Sequence, residues 1–164
     1  MNAAPLQLGN YHFTQIHIEA QPNSKPEDFA RVDWSVNANA FPRNKGNLRE
    51  WFVFVLLEIK AKEGSFPAYL GKVEVAGIFT VADGWQEDQI EKLVFVNGGG
   101  ILYAAIREMV CLITGRSIYG SLTIPSYSFI DMHKEWKVTM EKIQKEQAEA
   151  APQSPPPVAE KTNA

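Results

Sequence analysis

Cysteine is almost absent from this 164-residue chain, with Cys111 standing alone. One thiol cannot close an internal disulfide or build a cysteine-based zinc site. Positive charge is also in short supply: 16 Lys and Arg face 19 Asp and Glu, a formal net charge of −3. A nucleic-acid binder needs a basic surface to neutralise phosphates, so that class is set aside. The densest apolar run, Trp51 to Leu57, falls well short of the ~18 residues of a membrane span, and no membrane insertion is expected. Met1 to Pro5 carries neither positive charge nor an apolar block. No signal peptide is therefore expected, and the compartment reads as cytoplasm.

What is present is an ordinary globular share of apolar residues, 45%, enough for one packed domain. That domain is expected over residues 1–148. The stretch 149–164, with Pro155-Pro156-Pro157, reads as a disordered tail.

The domain begins with alternation. Between Leu6 and Ala20 the apolar phase slips, from Tyr11 and Phe13 to Ile16 and Ile18. One long strand with a bulge explains the slip, because an extra residue exchanges the two faces. Val32, Trp34 and Val36 predict a short half-exposed strand, and Pro42 to Gly46 a turn. Trp51 to Lys62 is the clearest strand, with its first half expected to be buried on both faces. Gly64 to Pro67 turns the chain into a fourth strand, Ala68 to Val81. Four strands on short connections favour an antiparallel sheet.

After Asp83-Gly84 the period becomes helical. Trp85 to Val96 is expected as a short helix, broken by Asn97-Gly98-Gly99-Gly100. Ile101 to Thr114 is expected as the next, with Gly115 as its C-cap. Arg107 and Glu108 are its only charged residues. A helix apolar nearly all round needs cover on two sides, and a partner subunit would supply the second. A loop rich in apolar side chains, Arg116 to Ser128, leads to an amphipathic last helix on the stripe Phe129, Met132, Trp136, Met140 and Ile143.

Catalytic chemistry finds little support. His12 and His17 sit five apart on a strand, which points them to opposite faces. Neither they nor His133 has an acidic or cysteine partner at ligand spacing, so all three read as surface or edge residues. Cys111 lies in the apolar helix without a base and reads as a core cysteine. Gly98 to Gly100 lacks the lysine and the spacing of a phosphate loop. Glu87, Asp88 and Glu91 suit the start of a helix as a solvated face. No metal, cofactor or enzymatic activity is expected. The large apolar groups on a half-exposed strand, a loop and a terminal helix instead suggest a groove for extended apolar peptide segments.

Several stretches carry a resemblance. Lys72-Val73-Glu74-Val75-Ala76-Gly77-Ile78-Phe79-Thr80-Val81 resembles the E-V-x-x-x-G-I-F-x-I/V strand of the SecB protein-export chaperones. Gly100 to Glu108 resembles that family's N-I-L-F-P-Y-A-R-E helix opening. Gly115-Arg116, Leu122 to Pro125 and Phe129 resemble its crossover loop, and Gln15 to Ala20 its first strand. The likeness runs from Leu6 to Trp136.

The resemblance implies an α+β fold, a four-stranded antiparallel sheet with two C-terminal helices, assembled as a homotetramer from two dimers. It implies a holdase that binds unfolded polypeptide clients without ATP and passes them to the motor SecA. The family's client groove maps onto Val32, Trp34, Val36, Ile118, Tyr119, Leu122, Ile124, Tyr127 and Phe129. Its SecA-docking positions map onto Gln15, Glu19, Leu70 and Lys72. Gln15 and Lys72 replace acids there, which reverses the attraction for a basic partner at Lys72. This favours, as an alternative, a chaperone devoted to one client, such as the antitoxin of a toxin–antitoxin system; a separate alternative is an adaptor that keeps the fold without a client.

Overall fold

The computed structural model describes residues 4–28, 31–44 and 46–150, without the side chains of 144, 145 and 147–150. Four strands are present: β1 (Leu6–Ala20), β2 (Val32–Asn44), β3 (Asn47–Ala61) and β4 (Tyr69–Val81). They pair antiparallel in the order β1-β4-β3-β2. The sheet therefore ends in two free edges, β1 and β2.

The slipping phase of β1 comes from two bulges, between Leu8 and Asn10 and between Phe13 and Gln15. Each shifts the alternation by one residue. Leu6, Leu8, Tyr11, Phe13, Ile16 and Ile18 consequently all stand opposite odd-numbered residues of β4 and share its helix-facing side. The same bulges correct the expectation for His12 and His17. They lie opposite Ala76 and Lys72, on one face and not on two.

Strand β2 does not stop at Val36 but runs through Pro42 to Asn44, which pairs with Asn47 at the start of β3. Proline lacks the N–H of a ladder bond, and an edge strand tolerates this on its free side. In β3 only one face is fully buried, with Val53, Val55 and Leu57 at 0% exposure. Phe52, Phe54 and Leu56 on the other face are half-buried, so the expected double burial is absent in this chain.

The helical half also departs from expectation. Helix α1 (Glu87–Leu93) passes through a π-helical turn, Val94–Gly98, directly into α2 (Gly99–Thr114). The glycines do not break the helix. A Cβ on Gly98 would come within 3.2 Å of Val53, and one on Gly99 within 2.6 Å of the Phe129 ring. Both glycines let the rod lie close against its neighbours, and packing outweighs their low helix propensity. By length and composition this rod, Glu87–Thr114, could cross a membrane, but 44% of its most apolar window is buried within the chain. Gly115 does cap α2, in the right-handed region at φ −60°.

The rod covers one face of the sheet. Phe79, Phe95, Leu57, Ile90, Leu102 and Ile106 form the fully buried centre, each such side chain stabilising the fold by about 1.5–3 kcal/mol. The far side of α2 stays open, with Ile101 41%, Leu112 62% and Ile113 38% exposed. Cys111 is on this open side too, so it is not a core cysteine. Helix α3 (Phe129–Ala150) closes the described chain. Beyond Ala150, the expected tail lies outside the described residues.

Candidate functional site

The 14-residue connection from Gly115 to Ser128 has no regular secondary structure, so its backbone groups need other partners. Thr114 fastens its start: its hydroxyl donates to the Val110 carbonyl (2.7 Å) and accepts from the Leu122 N–H (2.8 Å). Three phenols fasten the rest. Tyr69 donates to the Gly120 carbonyl at 2.6 Å, Tyr103 to Pro125 at 2.8 Å, and Tyr119 reaches out to Gln21 at 2.6 Å. Burial pushes the Tyr103 phenol up, against the opposing pull of Arg107, which keeps its O–H available as a donor.

Held in this way, the loop forms one wall of a groove of about 600 Å³. Val36 to Asn39 of β2 form the opposite wall, and Asp131, Met132, Glu135, Trp136 and Thr139 of α3 complete it. These five recur at helical spacing and present one face of α3. Trp136 is the centrepiece. It packs on Phe95 at 5.0 Å and His133 at 5.9 Å, while its indole N–H donates to Asn39 Oδ1 at 3.2 Å around the edge of β2. Asp131 accepts from Lys134 (2.8 Å) and Ser128 (3.1 Å), which hold its carboxyl below the usual carboxylate range. The lining is mixed: apolar Val36, Ala38, Tyr127, Met132 and Trp136 alternate with amides, hydroxyls and carboxylates. Such a lining can shelter apolar side chains while giving hydrogen bonds to a backbone.

The structure divides the nine residues assigned to this groove from the sequence. Val36 and Tyr127 line it. Trp34 and Leu122 are half-buried against the core, and Ile118 is 84% exposed on the loop. Tyr119 is half-buried as a tie to Gln21. Val32, Ile124 and Phe129 are 5%, 2% and 5% exposed; they pack into the core and are not among the residues that line this cleft. Asn37, Asn39, Asp131 and Glu135 were missed because polar residues on a strand edge or helix face carry no apolar signal. Trp136 and Met132 were legible as a helical stripe, but not as a wall of this cleft.

Gln15, Glu19, Leu70 and Lys72 come together on the sheet face turned away from the helices. Gln15 stands opposite Glu74, His17 opposite Lys72, and Glu19 opposite Leu70. Glu58, opposite Lys72 on the other side, is held below its usual range chiefly by its bond to Lys60.

The remaining chemical candidates are placed as follows. His133 is buried, at 7% exposure, and meets Glu91 Oε1 at 3.3 Å; it is not a surface histidine. Glu91 is accordingly partly engaged, whereas Glu87 and Asp88 are exposed. Among the described residues no group of three or more His, Cys, Asp or Glu is arranged to hold a metal ion.

Comparison with known proteins agrees with this architecture. No curated protein matches the chain by sequence. Among solved structures, a SecB-like chaperone of Mycobacterium tuberculosis, in complex with a ChAD peptide from an antitoxin, superposes with a TM-score of 0.58 at 20% identity. The match covers 76% of this chain and 91% of that one. A protein of unknown function from Streptococcus agalactiae matches more distantly, with a TM-score of 0.43 at 10% identity over 76% of this chain and 100% of the other. The profile of the family described as preprotein translocase subunit SecB matches residues 13–140. With that match spanning most of its length, the chain belongs to the SecB family of chaperones.

Proposed function

We propose that this protein is a cytoplasmic, ATP-independent holdase, without enzymatic activity, that takes extended apolar segments of unfolded polypeptides into the groove between β2, the loop and α3. The observation that carries this reading is the groove itself. Apolar groups stand in an open cleft beside an unpaired strand edge, in a mixed lining suited to side chains and backbone alike. Apolar area leaving water drives binding at ~25 cal/mol per Å². Ordering the client consumes much of that, so each contact is weak and several sites must act together. Several sites require several copies. The uncovered apolar residues of α2 and β1, Ile101, Leu112, Ile113, Tyr11 and Ile16, favour an oligomer, which we take as a dimer of dimers.

A second reading is a chaperone dedicated to one client, such as an antitoxin. Gln15 and Lys72 on the candidate SecA-docking face favour it, since a lysine there repels a basic partner. The adaptor alternative has no client and predicts an idle groove.

Aggregation assays decide among these. Sub-stoichiometric protein, without nucleotide, is expected to suppress aggregation of several unrelated denatured proteins. Suppression of only one selects the dedicated chaperone, and none, with the oligomer intact, leaves the adaptor. A link to SecA predicts that Lys72→Glu tightens binding of the C-terminal tail of SecA; unchanged binding counts against it.

A further inference from the structure

The sheet face turned away from the helices is chemically split. Near the β2–β3 turn its cross-strand rows are apolar: Phe41 stands opposite Phe52, and Phe52 opposite Ile78; the next row joins Asn39, Phe54 and Ala76. Two rows further along, Ser35, Glu58 and Lys72 are polar or charged. At the apolar end Phe41 is 46% exposed and stacks on Phe54 at 5.3 Å and 28°, with Phe52 beside Phe54 at 6.5 Å. Among the described residues no helix covers this face, and a cleft of about 230 Å³ opens in it between Phe41, Phe54, Leu56 and Glu74.

Two residues make this cleft continuous with the client groove. Asn37 and Asn39 line both. Strand β2 is the sheet edge, so only one strand's width, ~5 Å, separates the two sides. From strand spacing and rise, the apolar rows cover about 10 by 14 Å, on the order of 140 Å². A stable dimer needs roughly 800 Å² from each partner, so the patch is too small for a second copy and suits a short peptide segment.

We infer that a client leaving the groove turns round the free edge of β2, and that its next apolar side chains dock on Phe41, Phe52 and Phe54 on the opposite face of the sheet. The occupant is the same unfolded polypeptide, in a stretch bearing aromatic or long aliphatic residues. Those at alternate positions stand about 7 Å apart when extended, which matches the spacing of the rows. The inference rests on the groove reading and lengthens the client footprint from one face of the sheet to two.

Two fluorescent peptides test it. The short one carries a single apolar cluster for the groove, and the long one adds a six-residue Gly/Ser linker and Phe-Ser-Phe. The long peptide is expected to bind wild type about tenfold more tightly, and Phe41→Ser is expected to remove that advantage while leaving the short peptide's affinity unchanged. Phe41→Tyr, which keeps the ring stack, should retain the advantage. Native mass spectrometry and thermal melts establish that Phe41→Ser keeps the assembly and the fold. A photo-crosslinking residue at position 52 should then capture the Phe-Ser-Phe end of the long peptide. Equal affinity of both peptides for wild type, or a smaller assembly in Phe41→Ser, overturns the inference. Failure of even the short peptide to bind removes the groove reading, and the inference with it.

Discussion

The two free edges of the sheet are built for different neighbours. Along β1, the bulged strand turns Leu8 and Tyr11 towards Ile101, Leu102, Ala104 and Ala105 of α2, a shallow surface in which Glu108 is the only charged side chain. Along β2, amides, hydroxyls and carboxylates stand between the apolar groups. Lasting interfaces between identical subunits resemble a core cut in half, whereas surfaces that meet partners transiently keep polar groups within reach of water. One sheet thus presents an edge suited to permanent cover and another suited to repeated exchange.

Separating the two edges by mutation gives the sharpest predictions. The largest effect is expected from Ile101→Glu, which places a charge where a sister subunit would desolvate it. Association should weaken by about 3 kcal/mol, more than a hundredfold in dissociation constant. Sedimentation equilibrium would show smaller species, while binding of a short peptide per subunit persists. An unaltered mass would remove β1 and α2 from the subunit contact.

On the other edge, Trp136→Ala should leave the assembly intact. Losing a half-buried indole against Phe95 and His133 is expected to cost about 2–3 kcal/mol in urea unfolding, below the range for a fully buried tryptophan. Client affinity should fall in parallel. Stable protein with normal client binding would show that Trp136 plays no part in the groove.

A smaller pair of changes tests how α2 positions α3. Gly99→Ala drives a methyl into the Phe129 ring and should destabilise by about 1–2 kcal/mol despite its better helix propensity. Gly100→Ala meets nothing within 4 Å and should stabilise by about 0.5–1 kcal/mol. Thermal melts that move both variants the same way would contradict the close approach at Gly99.

Much of the sheet was legible in the sequence because one-sided burial writes itself as alternation. Val53, Val55, Leu57 and Ile59 could be read directly, and even the phase slip in β1 was visible. That β1 carries two bulges was not, because only pairing with β4 counts the extra residues. Strand β2 looked too short because Asn37, Asn39 and Pro42 have loop-like composition, and edge position cannot be read locally. The unbroken rod hid behind three glycines, and the reason for two of them, the approach of Val53 to Gly98 and of Phe129 to Gly99, lies far away in sequence. For the groove, apolar residues of the loop and of the start of α3 were read as available, whereas Ile124 and Phe129 are buried in the core. Apolarity alone does not distinguish a wall from a foundation.

The phenolic ties across the connection before α3 bear on how the proposed groove would receive a guest. Tyr69, Tyr103 and Tyr119 draw that stretch against three distant parts of the chain, so its configurational freedom has already been surrendered during folding. Under the proposed function, a visiting polypeptide would meet a stiff frame and give up its own disorder alone, which would leave more of the contact energy to hold it.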